Sequence, residues 1–144
     1  MIRPFTRVLV GTDFSDHAAR AVERAVDLAL RYGASLQVAH VWEVPLVVGG
    51  TLTASDYDRI SIVEHAARAQ LDEAVAALDG SGVAVTALLR SGAPWDRLVT
   101  LAGETDADLV VVGTQGRTGL RRVLLGSVAE RVVRLSPVPV LTVH

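Results

Sequence analysis

The stretch DLVVVGTQGRTGLRRVLLGSVAERVV, from Asp108 to Val133, joins an apolar run, a glycine-rich segment and a helical pattern without a break. DLVVVG is the nearly continuous apolar run expected of a strand covered on both faces. Between Gly113 and Ser127 the sequence then places four glycines and three arginines. Ordering glycine costs more backbone entropy than ordering any other residue, so such a loop inside a compact domain requires a functional reason.

The remainder of the chain alternates strand and helix patterns, which favours an α/β fold with a parallel sheet. The predicted strands are RVLVG, SLQVAHVW, VAVTALLRSG, DADLVVVG and SPVPVLTVH, and the predicted helices begin near Ser15, Asp56, Pro94 and Ser127. We therefore expect a Rossmann-like open parallel five-stranded sheet with helices on both faces. Right-handed crossovers give it the strand order 3-2-1-4-5.

Residues that favour helix ends stand where this fold needs them. Ser15 or Asp16 is expected to cap the first helix, and Gly33 is expected to end it in a left-handed conformation. Pro94 suits the first turn of the third helix.

The composition is that of one globular domain. The 144 residues are 50% hydrophobic, with a net charge of −2 and a pI of about 6.0. We expect a single domain over residues 1–144 and no nucleic-acid partner, since such partners favour strongly basic surfaces. The chain has no cysteine and all 14 basic residues are arginine, which excludes thiolate chemistry and a phosphate-binding lysine. No run approaches the roughly twenty apolar residues of a membrane span, so we expect a soluble, cytoplasmic protein.

In the order 3-2-1-4-5 the first and fourth strands are neighbours whose connections leave in opposite directions. Ligands of open α/β sheets bind at the carboxyl ends of such a strand pair. The loops after these strands are GTDFS and the glycine-rich segment. The two connections least like simple spacers therefore meet where the topology predicts a ligand.

The glycine-rich segment has the features of a phosphate site. Gly113 and Gly116 allow an anion to approach backbone N–H groups closely. Gly126 and Ser127 open the last helix, whose unpaired N–H groups and positive dipole end attract anions. The guanidinium of Arg117 pairs well with phosphate oxygens. The alternative is structural: Gly113 ends a strand, Ser127 caps a helix, and the loop only spans a gap.

Two residues on neighbouring strands complete the predicted site. Asp13 follows the first strand, where a carboxylate accepts ribose hydroxyls or holds Mg²⁺ through water; alternatively, it is an acid favoured by a helix start. Val41 ends the second strand, where its backbone can contact a flat base, unless it only packs in the core. The histidines show no metal-ligand spacing, and no GxSxG, HExxH or GxGxxG motif occurs.

The segments VLVGTDFS, AHV, GTQGRTGLRRVLLGSVAERVV and SPVPVLTV resemble the universal stress protein family, from Arg7 to Val143. The most specific feature is the spacing G-x2-G-x9-G-S of Gly113, Gly116, Gly126 and Ser127. This spacing marks the ATP-binding branch of that family.

The resemblance implies a stress-response protein that binds ATP, or ADP or AMP, together with Mg²⁺. It implies a homodimer paired through the apolar edge strand Val138–Val143. Gly11 and Gln115 depart from the common family pattern, which has Pro or Ala at the first position and Ser, His or Arg at the second. The implied base and ribose contacts are Gly11, Thr12, Asp13 and Val41, and the implied phosphate contacts are Gly113, Gly116, Arg117, Gly126, Ser127 and Val128.

We expect nucleotide binding with at most slow hydrolysis, because the sequence identifies no catalytic base. Two rival functions stay open: a nucleotide-free dimeric interaction module and a nucleotide hydrolase or transferase. The second rival predicts Mg-dependent turnover above about 1 s⁻¹.

Overall fold

The computed structural model describes residues 2–47, 49–115 and 125–144. Its five strands form one parallel sheet in the order β3-β2-β1-β4-β5, which confirms the predicted topology. In chain order the elements are β1 (Arg7–Gly11), α1 (Asp16–Tyr32), β2 (Ser35–Trp42), α2 (Ala54–Ala76), β3 (Val85–Ser91), α3 (Pro94–Glu104), β4 (Leu109–Gly113), α4 (Ser127–Leu135) and β5 (Val140–Val143). No helix in the described ranges is long and apolar enough to cross a membrane.

Both faces of the sheet are covered, because successive residues of a strand point to opposite sides. Val8 and Val10 of β1 pack with the alanines of α1 and with Leu71 of α2 on one face. Leu9 packs on the other face with Leu98 of α3 and residues of α4. The continuous apolar runs of the central strands are thus accounted for by burial on both sides.

The ends of the first two helices lie at residues that cap helices. Ser15 is the N-cap of α1, where its side chain accepts a hydrogen bond from the Ala18 N–H, and Gly33 ends the helix with φ of 66°. The second helix begins at Ala54, two residues before the predicted start near Asp56. Thr53 is its N-cap and Asp56 is the third helical residue, so the two side chains form a capping box that starts the helix earlier.

The edge strand β5 is shorter than the predicted SPVPVLTVH and the predicted pairing segment Val138–Val143, because it begins at Val140. Pro139 has no N–H to donate to a ladder. The Ser136 hydroxyl also bonds locally, accepting from the Val138 N–H and donating to the Val138 carbonyl. Pro139 bonds to β4 only through its carbonyl, which accepts from the Val110 N–H at 3.0 Å, and the strand begins at Val140.

Hydrogen bonds to one carboxylate join the beginnings of β1 and β4. Asp108 accepts from the Thr6 N–H at 2.7 Å, the Thr6 hydroxyl at 2.9 Å and the Arg7 N–H at 3.1 Å. The strands then run in parallel with Val8 opposite Leu109. Their carboxyl ends, Gly11 and Gly113, therefore come out on the same edge of the sheet.

Candidate functional site

A cavity of about 400 Å³ opens at the carboxyl ends of β1, β2 and β4, beneath the first turns of α3 and α4. This is the topological switch point at which the sequence predicts a ligand. The cavity brings together eight of the predicted site residues: Gly11, Thr12, Asp13, Val41, Gly113, Gly126, Ser127 and Val128. The other two, Gly116 and Arg117, lie outside the described residues.

The loop after β1 is held in shape by its own short polar side chains. The Thr12 N–H donates to the Ala39 carbonyl at 2.9 Å, and the Thr12 hydroxyl accepts from the Phe14 N–H at 3.1 Å. Asp13 accepts from the Ser15 N–H at 3.0 Å. Phe14 has a φ of 65°, which non-glycine residues rarely adopt. The loop therefore presents Thr12 and Asp13 to the cavity in a fixed arrangement.

His40 supports this loop from the neighbouring strand. Its Nδ1 lies 2.8 Å from the Thr12 carbonyl oxygen, and the centroid of its ring lies 4.4 Å from the centroid of the Phe14 ring. Because a carbonyl oxygen only accepts hydrogen bonds, Nδ1 is the donor in this contact. The histidine that showed no metal-ligand spacing in the sequence thus anchors the backbone of a predicted site residue.

Gly113 lies where the backbone of α1 packs closely against β4. A Cβ atom at this position would lie 3.2 Å from both the carbonyl carbon and the oxygen of His17, in the first turn of α1. The end of β4 and the start of α1 would consequently have to move apart by a few tenths of an ångström to accept a side chain at this position. This close packing supports the structural alternative given above, in which Gly113 serves the end of β4.

The N-terminus of α4 faces the cavity without a side-chain cap. Gly126 rather than Ser127 is the N-cap, and among the described residues no side chain caps this helix start. In the described part of the chain, the Ser127 hydroxyl has no hydrogen-bond partner. The first N–H groups of a helix lack partners within it and carry its positive dipole end. This end of the cavity is therefore suited to an anion.

Thr114 is a polar residue of the cavity that the sequence analysis did not single out. It is 1% exposed. Its N–H donates to the Val143 carbonyl, its own carbonyl accepts from the Gly126 N–H, and its hydroxyl lies 3.3 Å from His144 Nδ1. One buried residue thus ties the end of β4 to β5 and to the N-cap of α4.

The opposite end of the cavity is apolar, with a carboxylate at its rim. Ala39 and Val41 point to the same side of β2, and Pro94 and Leu98 of α3 face them. Glu43 comes directly after the last residue of β2 and is exposed. Strand alternation could have identified Ala39 from the prediction for Val41, whereas the contribution of α3 depends on tertiary packing.

The described residues contain no group of three or more histidine, aspartate or glutamate side chains that could hold a metal ion by themselves. Two of the described residues that line the cavity carry a carboxylate, Asp13 and Glu43. Mg²⁺ is commonly bound through one or two carboxylates together with substrate phosphates. Asp13 therefore fits a metal that arrives with a ligand rather than one caged by the protein.

Comparison with known proteins gives a consistent result. The model of the universal stress protein family matches residues 4–144. Universal stress protein MJ0531 of Methanocaldococcus jannaschii is 33% identical over 96% of this chain and 82% of its own length. Universal stress protein YxiE of Bacillus subtilis is 32% identical over 97% of this chain and 99% of its own.

Solved structures of similar sequence share the fold. UspA from Lactobacillus plantarum superposes with a TM-score of 0.84 at 25% identity, covering 99% of this chain and 100% of its own. A universal stress protein in complex with cAMP gives a TM-score of 0.72 at 34% identity and 99% coverage of both chains. The protein from Archaeoglobus fulgidus in complex with dAMP gives 0.65 at 26% identity, covering 99% of this chain and 100% of its own. With the sheet order, the family match and these relatives in agreement, the chain belongs to the universal stress protein family.

Proposed function

We propose that this protein binds an adenine nucleotide, with ATP as its ligand, in the cavity at the ends of β1, β2 and β4. The observation that carries the proposal is the uncapped N-terminus of α4 at one end of a cavity whose other end is apolar. A nucleotide has the same polarity, with a charged tail and a flat base. The related proteins bound to cAMP and dAMP support an adenine ligand.

The polarity of the cavity orients the nucleotide. The phosphates lie against the N–H groups of the first α4 turn and the Ser127 hydroxyl, where the helix dipole favours negative charge. The base lies at the β2 end, against Val41 and Leu98 and away from the phosphates. Asp13, between these ends, accepts hydrogen bonds from ribose hydroxyls or holds Mg²⁺ through water. Gly116 and Arg117 complete the phosphate contacts in this proposal.

We further propose that the function is binding rather than rapid turnover. Phosphoryl transfer to water needs a group that orients the attacking water as well as charge stabilisation of the phosphates. Asp13 already accepts a backbone hydrogen bond from Ser15, and Glu43 lies at the apolar end. Mg-dependent turnover above about 1 s⁻¹ would instead favour the hydrolase or transferase alternative.

The assembly that we propose is a cytoplasmic homodimer, each chain forming a single domain. β5 is an edge strand with β4 as its one neighbour in the sheet, and Val140–Val143 are partly exposed. Such an edge offers unpaired backbone groups to a second strand. Pairing through Val140–Val143, extended by Val138, would bury this edge.

Protein purified without added nucleotide tests the proposal most directly. After denaturation and removal of the polypeptide, ion-exchange chromatography and mass spectrometry of the supernatant should detect adenine nucleotide close to stoichiometric amounts. Calorimetric titration of emptied protein with Mg-ATP should give saturable binding. An empty supernatant together with no heat on titration would favour the nucleotide-free interaction module instead.

A further inference from the structure

Glu43 extends the line of residues that β2 presents to the cavity. Ala39, Val41 and Glu43 are spaced two residues apart and all three line the cavity. The Gly92 N–H donates to the Trp42 carbonyl at 3.0 Å, which brings the connection before Pro94 beside this position. Glu43 therefore stands at the rim, between the end of β2 and the start of α3.

The carboxylate of Glu43 has no structural partner among the described residues. It takes part in no hydrogen bond or ion pair there. Asp56, in contrast, is a carboxylate with a structural role and accepts hydrogen bonds from both Thr53 and Arg59. A rim carboxylate without a partner leaves its acceptor oxygens available to a ligand.

The position of Glu43 decides which part of a nucleotide it meets. β2 and β4 are separated by β1 in the sheet, so their ends are about 10 Å apart at the usual strand spacing. The uncapped N-terminus of α4 lies at the β4 side and Glu43 at the β2 side. A carboxylate repels phosphates, so the phosphate tail belongs at α4 and the base edge at Glu43.

An ionised carboxylate accepts hydrogen bonds and donates none. We propose that Glu43 selects a base that carries an exocyclic amino group on its rim-facing edge, as adenine does at position 6, over a base with a carbonyl oxygen there. This inference rests on the proposed nucleotide site and adds a residue that sets base preference. A 6-oxo group would place two acceptors against each other at the rim.

The test compares ATP with ITP, in which an oxo group replaces the amino group at position 6 and N1 carries a proton. The parent protein should bind ATP about tenfold more tightly than ITP, a difference of about 1.4 kcal/mol. In Glu43→Gln the side-chain amide can donate to the oxo group, so the two affinities should come within about twofold. Glu73→Gln, the same change at an exposed site on α2 outside the cavity, should keep the parent ratio.

The affinity ratio separates base selection from a general electrostatic role. Removing a negative charge near a polyphosphate changes the affinities for ATP and ITP together and leaves their ratio unaltered. A parent ratio retained in Glu43→Gln, with ATP still bound, would overturn the role of Glu43 and leave the proposed function standing. Failure of the parent to bind either nucleotide would overturn both.

Discussion

A Cβ atom placed on Gly11 would lie 2.8 Å from Cδ1 of Leu98. A terminal methyl of Leu98 therefore occupies the space that a Cβ atom at position 11 would need, and it must shift if one is added. Leu98 is buried in the core between α3 and the sheet, and both residues line the cavity. The glycine and the leucine are therefore complementary in shape at this contact.

Gly11→Ala should destabilise the protein by about 1 kcal/mol, the lower end for overpacking, because the added methyl meets a terminal methyl of Leu98 that can shift. Leu98→Ala should cost about 2–5 kcal/mol through the cavity that it leaves. The double variant should lose less than the sum of the two, since the smaller side chain makes room for the methyl. Urea unfolding of all four proteins measures this coupling. Additivity to within about 0.5 kcal/mol would contradict the steric relationship.

Gly113→Ala should destabilise the protein by about 1–3 kcal/mol. The added Cβ meets backbone atoms of His17 rather than the flexible end of a side chain, so β4 and α1 must separate. Thermal or urea unfolding checks the sign.

Gly103→Ala is the matched control for that change. Gly103 lies in α3 and an added Cβ there would meet nothing within 4 Å. Alanine in an open helical position should stabilise by up to about 1 kcal/mol. Similar effects at Gly103 and Gly113 would show that close approach of the backbones is not what requires glycine at position 113.

Ser127→Ala should weaken Mg-ATP binding by about tenfold, the loss expected for one hydrogen bond to a charged group. Stability should change little, because Gly126 is the N-cap and the Ser127 hydroxyl has no partner in the described part of the chain. Ser127→Thr keeps the hydroxyl and should retain most of the affinity. Calorimetric titration of the three proteins measures the difference. Equal binding by the alanine variant would remove Ser127 from the proposed phosphate site.

Protonation of Asp56 should contribute to acid unfolding. Hydrogen bonds from Thr53, and then the Arg59 guanidinium, lower the pKa of this carboxyl from 3.8 to about 2. Because the pKa in the folded state is depressed, the stabilisation is fully present above the unfolded value of 3.8 and is lost as the pH falls towards 2. Stability measured by urea unfolding should therefore decline over this range.

Asp56→Asn should reduce the steepness of that decline without abolishing it. The pKa of Asp108 is also lowered, since hydrogen bonds from Thr6 and Arg7 outweigh the effect of burial, which raises it. Thr53→Val, which removes the hydroxyl that bonds Asp56 at 2.6 Å, should flatten the decline in the same direction. An unchanged pH dependence in both variants would exclude this capping box as its source.

The strand order and the place of the cavity could be predicted because both depend on patterns that are local in sequence. Apolar runs predicted β1 and β4, and the handedness of crossovers then placed Gly11 beside Gly113. Short polar residues were less predictable. Thr53 starts α2 two residues before Asp56, because its side chain forms a capping hydrogen bond. Pro139 has no N–H to donate to a strand, and β5 begins only at Val140.

The wall of the cavity opposite β2 could not be predicted in the same way. Leu98 reads as an ordinary core residue of an amphipathic helix, and only the packing of α3 over Gly11 brings it to the site. Glu43 lies one residue beyond the end of β2, and only the structure shows that the alternation of Ala39 and Val41 continues to it. Thr114 becomes recognisable as a junction only when β5 and α4 are both in place around it.

The pairing of β1 with β4 has a consequence for folding. Thr6 and Asp108, which hydrogen-bond at the start of this pair, are 102 positions apart in the chain. The cavity is divided in the same way, with Gly11 and Asp13 from the first part of the chain and Gly126 and Ser127 from the last. Contacts between residues this far apart in sequence form late in folding, because a long loop must first close and its entropy cost precedes the stabilisation from the contacts. A ligand that bridges both parts can bind only after this closure, so its binding free energy adds to the stability of the completed sheet.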